Sequence, residues 1–287
     1  MPAVPAPAAA RYQPVTPDEA VPVANLLPVR AGQAWTITPC RAPWTTWPAA
    51  RLQQGARELI LACGHSGADV AWQVPGVDAY GPHLRLGRAS IPGIAREVLR
   101  VVLPVLDDQL AARAPDDGPG AHRHRLTELN ELGAELREHG AVTFHQAGIA
   151  PNSDVLSWTG HGHGIRYAVT LRGTNPAADL AVSGPLSAVE RLLPHFLDAA
   201  PAQAPRVQLT GVTGRMARRL TARLRPLTGV EQLDTGGLAI GAATGPYGYI
   251  APPADPAARV RDNTPVAAEL HSVGIDHLLT LSTTLAR

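Results

Sequence analysis

The chain has 287 residues, of which 45% are apolar and 4% aromatic, and its formal net charge is +1 at pH 7. This composition is typical of a folded globular protein with one large core or two smaller ones, and no apolar run approaches the roughly 20 residues of a membrane-spanning helix. The near-neutral charge and the lack of a basic block give no indication of binding to nucleic acid or to a membrane surface. The two cysteines argue against a disulfide framework and favour a cytoplasmic location.

Lysine is missing from the sequence, so all 25 Lys and Arg positions are arginine. Abundant Arg, Ala, Gly and Pro are typical of a protein from a bacterium with a GC-rich genome. Without lysine no Schiff base can form, which excludes pyridoxal-phosphate enzymes and lysine aldolases. Walker A NTPases, protein kinases and Ser-x-x-Lys hydrolases are excluded for the same reason.

The Pro- and Ala-rich segment 1–30 is predicted to be a flexible arm. After it, three similar blocks occur twice in the same order, about one hundred residues apart, which predicts two similar α/β halves. These halves comprise residues 31–150 and 151–250. The segment 251–287 is predicted to be a linker and a closing helix.

The first pair of blocks predicts a strand, a glycine-rich turn and a second strand in each half. Leu59–Gly76 reads LILACGHSGADVAWQVPG, and Val155–Gly173 reads VLSWTGHGHGIRYAVTLRG. A short strand and an amphipathic helix follow within Leu84–Pro115 and within Asp179–Pro205, where apolar residues recur at helical spacing.

A fourth strand is predicted near His122–Leu126 in the first half and near Arg206–Leu209 in the second. Three antiparallel strands followed by alternating helices and strands form a mixed sheet. The predicted fold class is therefore α/β, with two tandem similar halves, each a mixed sheet with helices, and a cleft between them.

The order of elements in each half resembles the ribonuclease-H-like core, and two such cores in tandem resemble the superfamily of actin, Hsp70 and sugar kinases. The strand that ends at Gly211, the following Gly214-Arg215 and the later Gly241-Ala242-Ala243 are similar to the adenosine motif of that superfamily. The first glycine-rich block, with the GRASIPG that follows it, is similar to the phosphate hairpin and turn of type III pantothenate kinases. The resemblance implies a bound nucleotide, with ATP and Mg²⁺ as the cofactors.

One feature of that superfamily is missing. Its first strand ends in an aspartate that holds the metal–phosphate complex, whereas this chain has Ala62 or Cys63 there in the first half and Trp158 or Thr159 in the second. Without that carboxylate, no residue is identified to place magnesium for phosphoryl transfer. Catalytic residues therefore stay unassigned, and a non-catalytic descendant acting as a protein-interaction module is an alternative.

The stretch RVQLTGVTGRMARRL, Arg206–Leu220, also resembles the TGxTGRxG turn of extended short-chain dehydrogenases. Its bare glycines would let a phosphate approach the helix N-terminus, and Asp234 follows at the spacing of a ribose-binding acid. Its late position and the missing catalytic lysine argue against a dinucleotide domain. An adenosine-like group against Gly211 and Gly214, or an ordinary strand–turn–helix corner, are the remaining interpretations.

The turn CGHSGA, Cys63–Ala68, allows several interpretations beside a plain hairpin turn. Ser66 lies between small residues, as in the nucleophile elbow of a serine hydrolase. The sequence Cys63-Gly64-His65 is similar to the cysteine loop of proline-racemase-like epimerases, although Thr159 stands where the second half would need a cysteine. The phosphate hairpin is the third interpretation.

The turn TGHGHG, Thr159–Gly164, places two imidazoles close together. They could share a metal with His145 or with His122 and His124, but no cysteine or carboxylate lies at ligand spacing, and no metal site is predicted. If the turn faces a cleft, both histidines could instead donate hydrogen bonds to a phosphate or a carboxylate.

We therefore predict binding of a nucleotide or a phosphorylated metabolite in a cleft between the halves, with kinase-like chemistry. The alternatives are the interaction module, whose partner would be a protein, and a serine hydrolase using Ser66. Neither a nucleic acid nor a membrane is expected as a partner. The candidate ligand-binding residues are Gly64, His65, Ser66, Gly67, Gly160, His161, Gly162, His163, Gly211, Gly214, Arg215 and Gly241.

Overall fold

A computed structural model describes residues 15–77, 79–113, 118–197, 209–241, 244–255 and 259–287. The chain forms two compact units, Met1–Ile91 and Pro92–Arg287. Among the described helices, none combines the length and the apolar character needed to cross a bilayer.

The first unit is built on a five-stranded antiparallel sheet whose strands pair in chain order. Its elements are helix α1 (Ala20–Leu26) and strands β1 (Thr36–Cys40), β2 (Ala49–Gln54), β3 (Arg57–Gly64), β4 (Gly67–Gln73) and β5 (Leu84–Leu86). Five consecutive residues of β3 are buried, as expected for a central strand covered on both faces. Helix α1 buries Ala20 and Val23, so part of the segment expected to be a flexible arm is folded.

The second unit contains an eight-stranded sheet, in the order β10-β11-β12-β13-β9-β8-β7-β6. Its strands are β6 (Thr143–Ala147), β7 (Ser153–Thr159), β8 (Arg166–Arg172), β9 (Ala177–Pro185), β10 (Gly229–Gln232), β11 (Leu238–Gly241), β12 (Tyr247–Ile250) and β13 (Pro265–Gly274). Its helices are α2 (Ile91–Glu97), which continues through a π-helical turn (Val98–Val102) into α3 (Leu103–Ala111), then α4 (Gly118–Glu138), α5 (Leu186–Leu192), α6 (Arg215–Leu224), α7 (Ile275–Thr280) and α8 (Ser282–Ala286).

The central strands of this sheet alternate between buried and more accessible residues, which gives the sheet one apolar and one open face. The apolar face carries Val169, Leu180 and Leu270, which share one core with leucines of α4 and with Phe196. We call the other side the open face; it carries small and polar side chains of β8, β9, β12 and β13, such as Arg166, Ala168, Ala181, Ala267 and Glu269.

The α/β class is confirmed, and hairpins form where both glycine-rich blocks predicted them. Strand β3 pairs with β4, and β7 pairs with β8. A third strand and a helix follow each hairpin, as β5 with α2 and as β9 with α5. The sequence pattern thus predicts the local order of elements in both places.

The prediction of mixed sheets was wrong, because every pairing between described strands is antiparallel. The strand predicted at His122–Leu126 was wrong as well, since these residues lie within α4. Of the strand predicted at Arg206–Leu209, only Leu209 lies within the described residues, and it is not in a strand.

The predicted division at residue 150 falls between β6 and β7, which are neighbours in one sheet. The compact units instead divide at Ile91. Helices α7 and α8 form where a closing helix was predicted, but the segment 251–287 also supplies β13, which pairs with β9 inside the sheet.

Candidate functional site

The second unit contains a pocket of about 280 Å³ beside the His-rich turn, which we call the His163 pocket. Its floor is apolar, and its rim is formed mainly by arginine and histidine. The floor consists of Ile165, Tyr167, Ala188 and Leu192, and the rim of His163, Arg191, His195, Thr284 and Arg287. No aspartate or glutamate occurs among these lining residues. A concave site in which cationic side chains converge over an apolar floor suits a small organic anion.

The rim is assembled by docking of the C-terminal segment on β7. The indole N–H of Trp158 donates a buried hydrogen bond of 3.0 Å to the carbonyl of Leu285. The backbone N–H of His161 donates to the carbonyl of Ala286 at 3.2 Å, and the N–H of Gly162 donates to the carbonyl oxygen of Arg287. These contacts tie α8 to the strand and to the turn after it, and so place Thr284 and Arg287 on the rim.

The side chains of His163 and Arg191 approach each other on the rim. Arg191 lies in the last turn of α5, and its Nη2 is 3.5 Å from Nδ1 of His163. When the arginine donates to Nδ1, the neutral imidazole carries its proton on Nε2 and can donate that proton to a ligand. The helix and the turn thus present N–H groups to the same pocket.

His195 reaches the rim from the turn after α5. Arg96 of α2 holds this turn, because its guanidinium donates to the carbonyl of Pro194 at 2.9 Å and to the carbonyl of Leu197. Burial lowers the pKa of His195, and the positive charge of Arg96 lowers it further. The imidazole is therefore neutral near pH 7 and can donate one hydrogen bond and accept another.

The two histidines of the His-rich turn have different surroundings. His163 lines the pocket, whereas Nε2 of His161 lies 2.5 Å from the carbonyl oxygen of Gly140. A Cβ added to Gly162 would lie 2.8 Å from the carbonyl oxygen of Arg287. This glycine therefore permits docking of the C-terminal segment, and the neighbouring Gly160 makes a similar, looser approach to it.

The first glycine-rich turn belongs to the other unit. Gly64, His65, Ser66 and Gly67 form the tight connection between β3 and β4. A Cβ added to Gly64 would lie 2.5 Å from the indole of Trp47, so packing alone requires glycine there. A nucleophile elbow joins a strand to a helix, whereas Ser66 joins two strands, and the hydrolase geometry is not formed.

Cys63, at the start of the same motif, is buried at the end of β3. Burial raises the pKa of its thiol to about 12, and the nearby carboxylate of Glu19 acts in the same direction. The thiolate needed for acid–base chemistry is therefore absent near pH 7. This environment does not support the epimerase-like interpretation.

The Gly211–Gly214 turn is closed by a side chain from β10. The N–H of Thr213 donates to Oε1 of Gln232 at 2.7 Å, and Nε2 of Gln232 donates to the carbonyl of Thr213 at 3.0 Å. Gly211 and Gly214 have φ of 81° and 82°, which favours glycine. One amide that a phosphate would need is thus already bonded, and exposed Arg215 follows as the first residue of α6.

The adenosine motif that Gly241-Ala242-Ala243 resembles has a helix start at this place, but Gly241 lies in a strand. Gly241 is the last residue of β11, and the next element is the partner strand β12. Residues 242–243 lie outside the described part of the chain.

Asp154 lies close in sequence to the missing motif acid but has a structural partner. Its Oδ2 accepts from Nε of Arg125 at 2.8 Å and lies 3.2 Å from Nδ1 of His122. Burial would raise the pKa of this carboxyl, but the hydrogen bonds from Arg125 and His122 outweigh burial and lower it. The carboxylate links α4 to β7.

Sequence reasoning identified His163 and missed the other rim residues. Arg191, His195, Thr284 and Arg287 come from α5, from the turn after it and from the C-terminal segment. No local motif joins them, since they meet only when α8 docks on β7.

Comparison of the chain with protein-family models, with curated proteins and with solved structures finds no match. The resemblance to actin, Hsp70 and sugar kinases therefore stays a prediction. The chemistry of the His163 pocket is then the best guide to function.

Proposed function

We propose that the second unit binds a small phosphorylated metabolite in the His163 pocket. The observation that carries this proposal is that Arg191, Arg287, His163 and His195 all line one pocket, and that no aspartate or glutamate side chain is among its lining residues. Guanidinium groups present several N–H donors in a planar fork that matches the oxygens of a phosphate. The hydroxyl of Thr284 adds a further donor, and the apolar floor would contact the carbon skeleton of the ligand.

The size of the pocket favours a small ligand. Its volume of about 280 Å³ lies just below the range of about 300–1,000 Å³ that is common for ligand pockets. A phosphorylated metabolite of a few carbons suits this volume better than a complete nucleotide. All lining residues lie between His163 and Arg287 and none belongs to the predicted first half, 31–150, so this pocket is not the cleft between two halves that the sequence predicted.

The proposal is limited to binding. Phosphoryl transfer needs carboxylate oxygens that hold Mg²⁺ beside the phosphates, and the lining of this pocket offers no acidic side chain. We therefore assign neither ATP with Mg²⁺ nor a kinase-like reaction to it.

A matched pair of probes tests the proposal. Glycerol 3-phosphate should raise the melting temperature and give a measurable Kd by calorimetry, whereas glycerol should do neither, because only the phosphate meets the rim. Arg191→Ala should weaken binding by about 10- to 100-fold, the loss expected for hydrogen bonds to a charged group. Arg223→Ala, which removes an exposed arginine of α6, is the matched control.

Three results would contradict this function: equal stabilisation by glycerol and its phosphate, unchanged binding in Arg191→Ala, or no binding of any phosphomonoester in a panel of small metabolites. ADP is tested beside that panel. Tighter binding of ADP than of all small phosphates would contradict the size argument while retaining the anion site.

A second candidate function, the protein-interaction module, is favoured by one observation. Strand β6 lies at the edge of the eight-stranded sheet and exposes Phe144, and exposed Val142 and Ile149 flank it. Exposed edge strands pair readily with strands of another chain. A second copy of the chain is the partner to test first: sedimentation should show self-association that Phe144→Asp abolishes and that Arg223→Ala leaves intact.

A further inference from the structure

Two carboxylates and an imidazole converge on the open face where β9 and β13 pair. Asp179, Glu269 and His271 each contribute one ligand atom, and these atoms all lie within 4.8 Å of one another. None of the three lines the His163 pocket. The cluster is therefore a separate feature of the second unit.

The backbone of the sheet dictates this convergence. Glu269 and His271 are two residues apart in β13 and so point to the same face, and Asp179 lies on that face of the adjacent strand. Glu269 pairs with Ala181 in the register of the two strands, and a β-bulge follows between Leu270 and Val273. The bulge includes His271 and breaks the regular pairing opposite Asp179, and such bulges commonly re-aim side chains beside functional sites.

The three side chains differ in their hydrogen-bond and ion-pair partners. Nδ1 of His271 lies 2.7 Å from Oδ1 of Asp179, and Nε of Arg172 donates to Oδ2 of the same carboxylate at 2.8 Å. The ring of Tyr247 lies 5.3 Å from the imidazole and limits its orientation. The exposed carboxylate of Glu269 makes no hydrogen bond or ion pair with another described residue. Arg172 thus compensates one of the two negative charges.

We propose that Asp179, Glu269 and His271 form a binding site for a divalent transition-metal ion, with Zn²⁺ as the best fit. Zinc accepts imidazole nitrogen and carboxylate oxygen together, whereas Ca²⁺ and Mg²⁺ prefer oxygen ligands alone. A cation would neutralise the uncompensated charge of Glu269. The hydrogen bond of Arg172 to Oδ2 leaves Oδ1 of Asp179 for the metal and orients that carboxylate, as outer partners of metal ligands commonly do.

Binding requires a small local change. Metal–ligand bonds of about 2.0–2.2 Å in a tetrahedral site separate two ligand atoms by about 3.3–3.6 Å, so Nδ1 of His271 and Oδ1 of Asp179 must move apart from 2.7 Å. A proton on Nδ1 moves to Nε2 when the ring is neutral, or to solvent when the ring is protonated. Three protein ligands leave the fourth position of a tetrahedral zinc ion open.

A depression of about 360 Å³ lies on the same face and could hold the ligand that completes the fourth coordination position. Glu269 belongs to its lining, together with the polar side chains of Arg166, Ser183 and Tyr249 and with several alanines. A metal ion bound by Glu269 would thus have a cavity beside it in which a water molecule or an anionic ligand can complete the coordination.

Titration of the tag-free, EDTA-dialysed protein with Co²⁺ and Zn²⁺ tests the site. Co²⁺ should produce visible d–d bands that saturate at one ion per chain, and calorimetry with Zn²⁺ should give a micromolar Kd. Glu269→Gln and His271→Ala should each weaken binding at least tenfold, because each removes a ligand. His145→Ala, which removes an exposed histidine of β6 in the same sheet, should retain the wild-type affinity.

Because Glu269 is exposed, Glu269→Gln should fold like the wild type, and circular dichroism can verify this before the titration. The Glu269→Gln titration therefore tests the site even if His271→Ala fails to fold. The proposal is overturned if Co²⁺ gives no saturating bands or if Zn²⁺ binds only in the millimolar range. It is also overturned if Glu269→Gln binds the ion as tightly as His145→Ala does.

Discussion

Protonation of His277 provides the sharpest test of the packing in the second unit. This residue lies in α7 with only 3% of its surface exposed, and its Nδ1 has no hydrogen-bond partner among the described residues. Burial lowers the pKa of His277 to about 3, and the charges of Arg96 and Arg100 act in the same direction. The native state therefore holds this imidazole neutral throughout the mildly acidic range.

The sign of the effect follows from proton linkage. The unfolded chain binds a proton at His277 near pH 6.5, whereas the folded chain does so only near pH 3. Stability is thus fully present above about pH 6.5 and falls by roughly 1.4 kcal/mol for each pH unit below that value. At pH 5 the loss from this one residue is about 2 kcal/mol.

The loss can be measured by urea denaturation of the wild type and of His277→Leu between pH 7.5 and pH 4.5. The pKa shift of His277 sets this pH window. Leucine cannot be protonated, so the stability of the variant relative to the wild type should rise by about 2 kcal/mol between pH 7 and pH 5. His145→Leu, at an exposed position of β6, should follow the wild-type curve. Parallel pH profiles of the wild type and His277→Leu would refute the buried, neutral imidazole.

Three further predictions concern the contacts that hold the fold. Arg125→Met removes the guanidinium from the buried carboxylate of Asp154 and leaves only His122 beside it, which should cost about 3–5 kcal/mol. Asp154→Asn in the same chain should restore part of this loss in urea denaturation. Gly64→Ala should cost about 1–3 kcal/mol because its Cβ meets an indole, whereas Gly87→Ala, with open space around it, should change the melting temperature little. Gln232→Ala should cost about 1–3 kcal/mol, since it removes the hydrogen bonds that close the turn before α6, and faster amide exchange of that turn should accompany the loss.

The hairpins could be predicted from the sequence because their signals are local. In Leu59–Gly76 and Val155–Gly173 an apolar run, a glycine-rich turn and a second apolar run are adjacent, and antiparallel strands joined by short turns pair with each other. The direction of the remaining pairings could not be predicted. Strand β13 lies beside β9 through contacts between segments far apart in the chain, and no local pattern states which strands will meet.

The strand expected at His122–Leu126 shows a second limit of local patterns. Five residues that contain little apolar surface are compatible with either state, and the deciding signal lies downstream. Leu129, Leu132 and Leu136 recur at helical spacing and are completely buried. Burial of these leucines in the core favours a helix, and α4 begins far enough upstream to include residues 122–126.

The candidate sites were only partly predictable for a similar reason. His163 was identified because two histidines between glycines are conspicuous in a sequence. Arg191 is one of 25 arginines, and its neighbours in the chain give no indication that it lines a pocket. Glu269 and His271 share a face of one strand, but the position of Asp179 beside them depends on strand pairing.

In this chain the glycine-rich turn motifs suggest phosphate binding that their backbone geometry does not support. A glycine-rich turn cradles a phosphate only when its backbone N–H groups are free to point at the ligand. Here the N–H groups of Thr213 and Gly162 are bonded to a glutamine side chain and to the C-terminal segment, and Gly64 is required by packing against Trp47. The fold itself thus accounts for these three features, and the anion site proposed above depends instead on side chains such as Arg191 that no turn motif indicates.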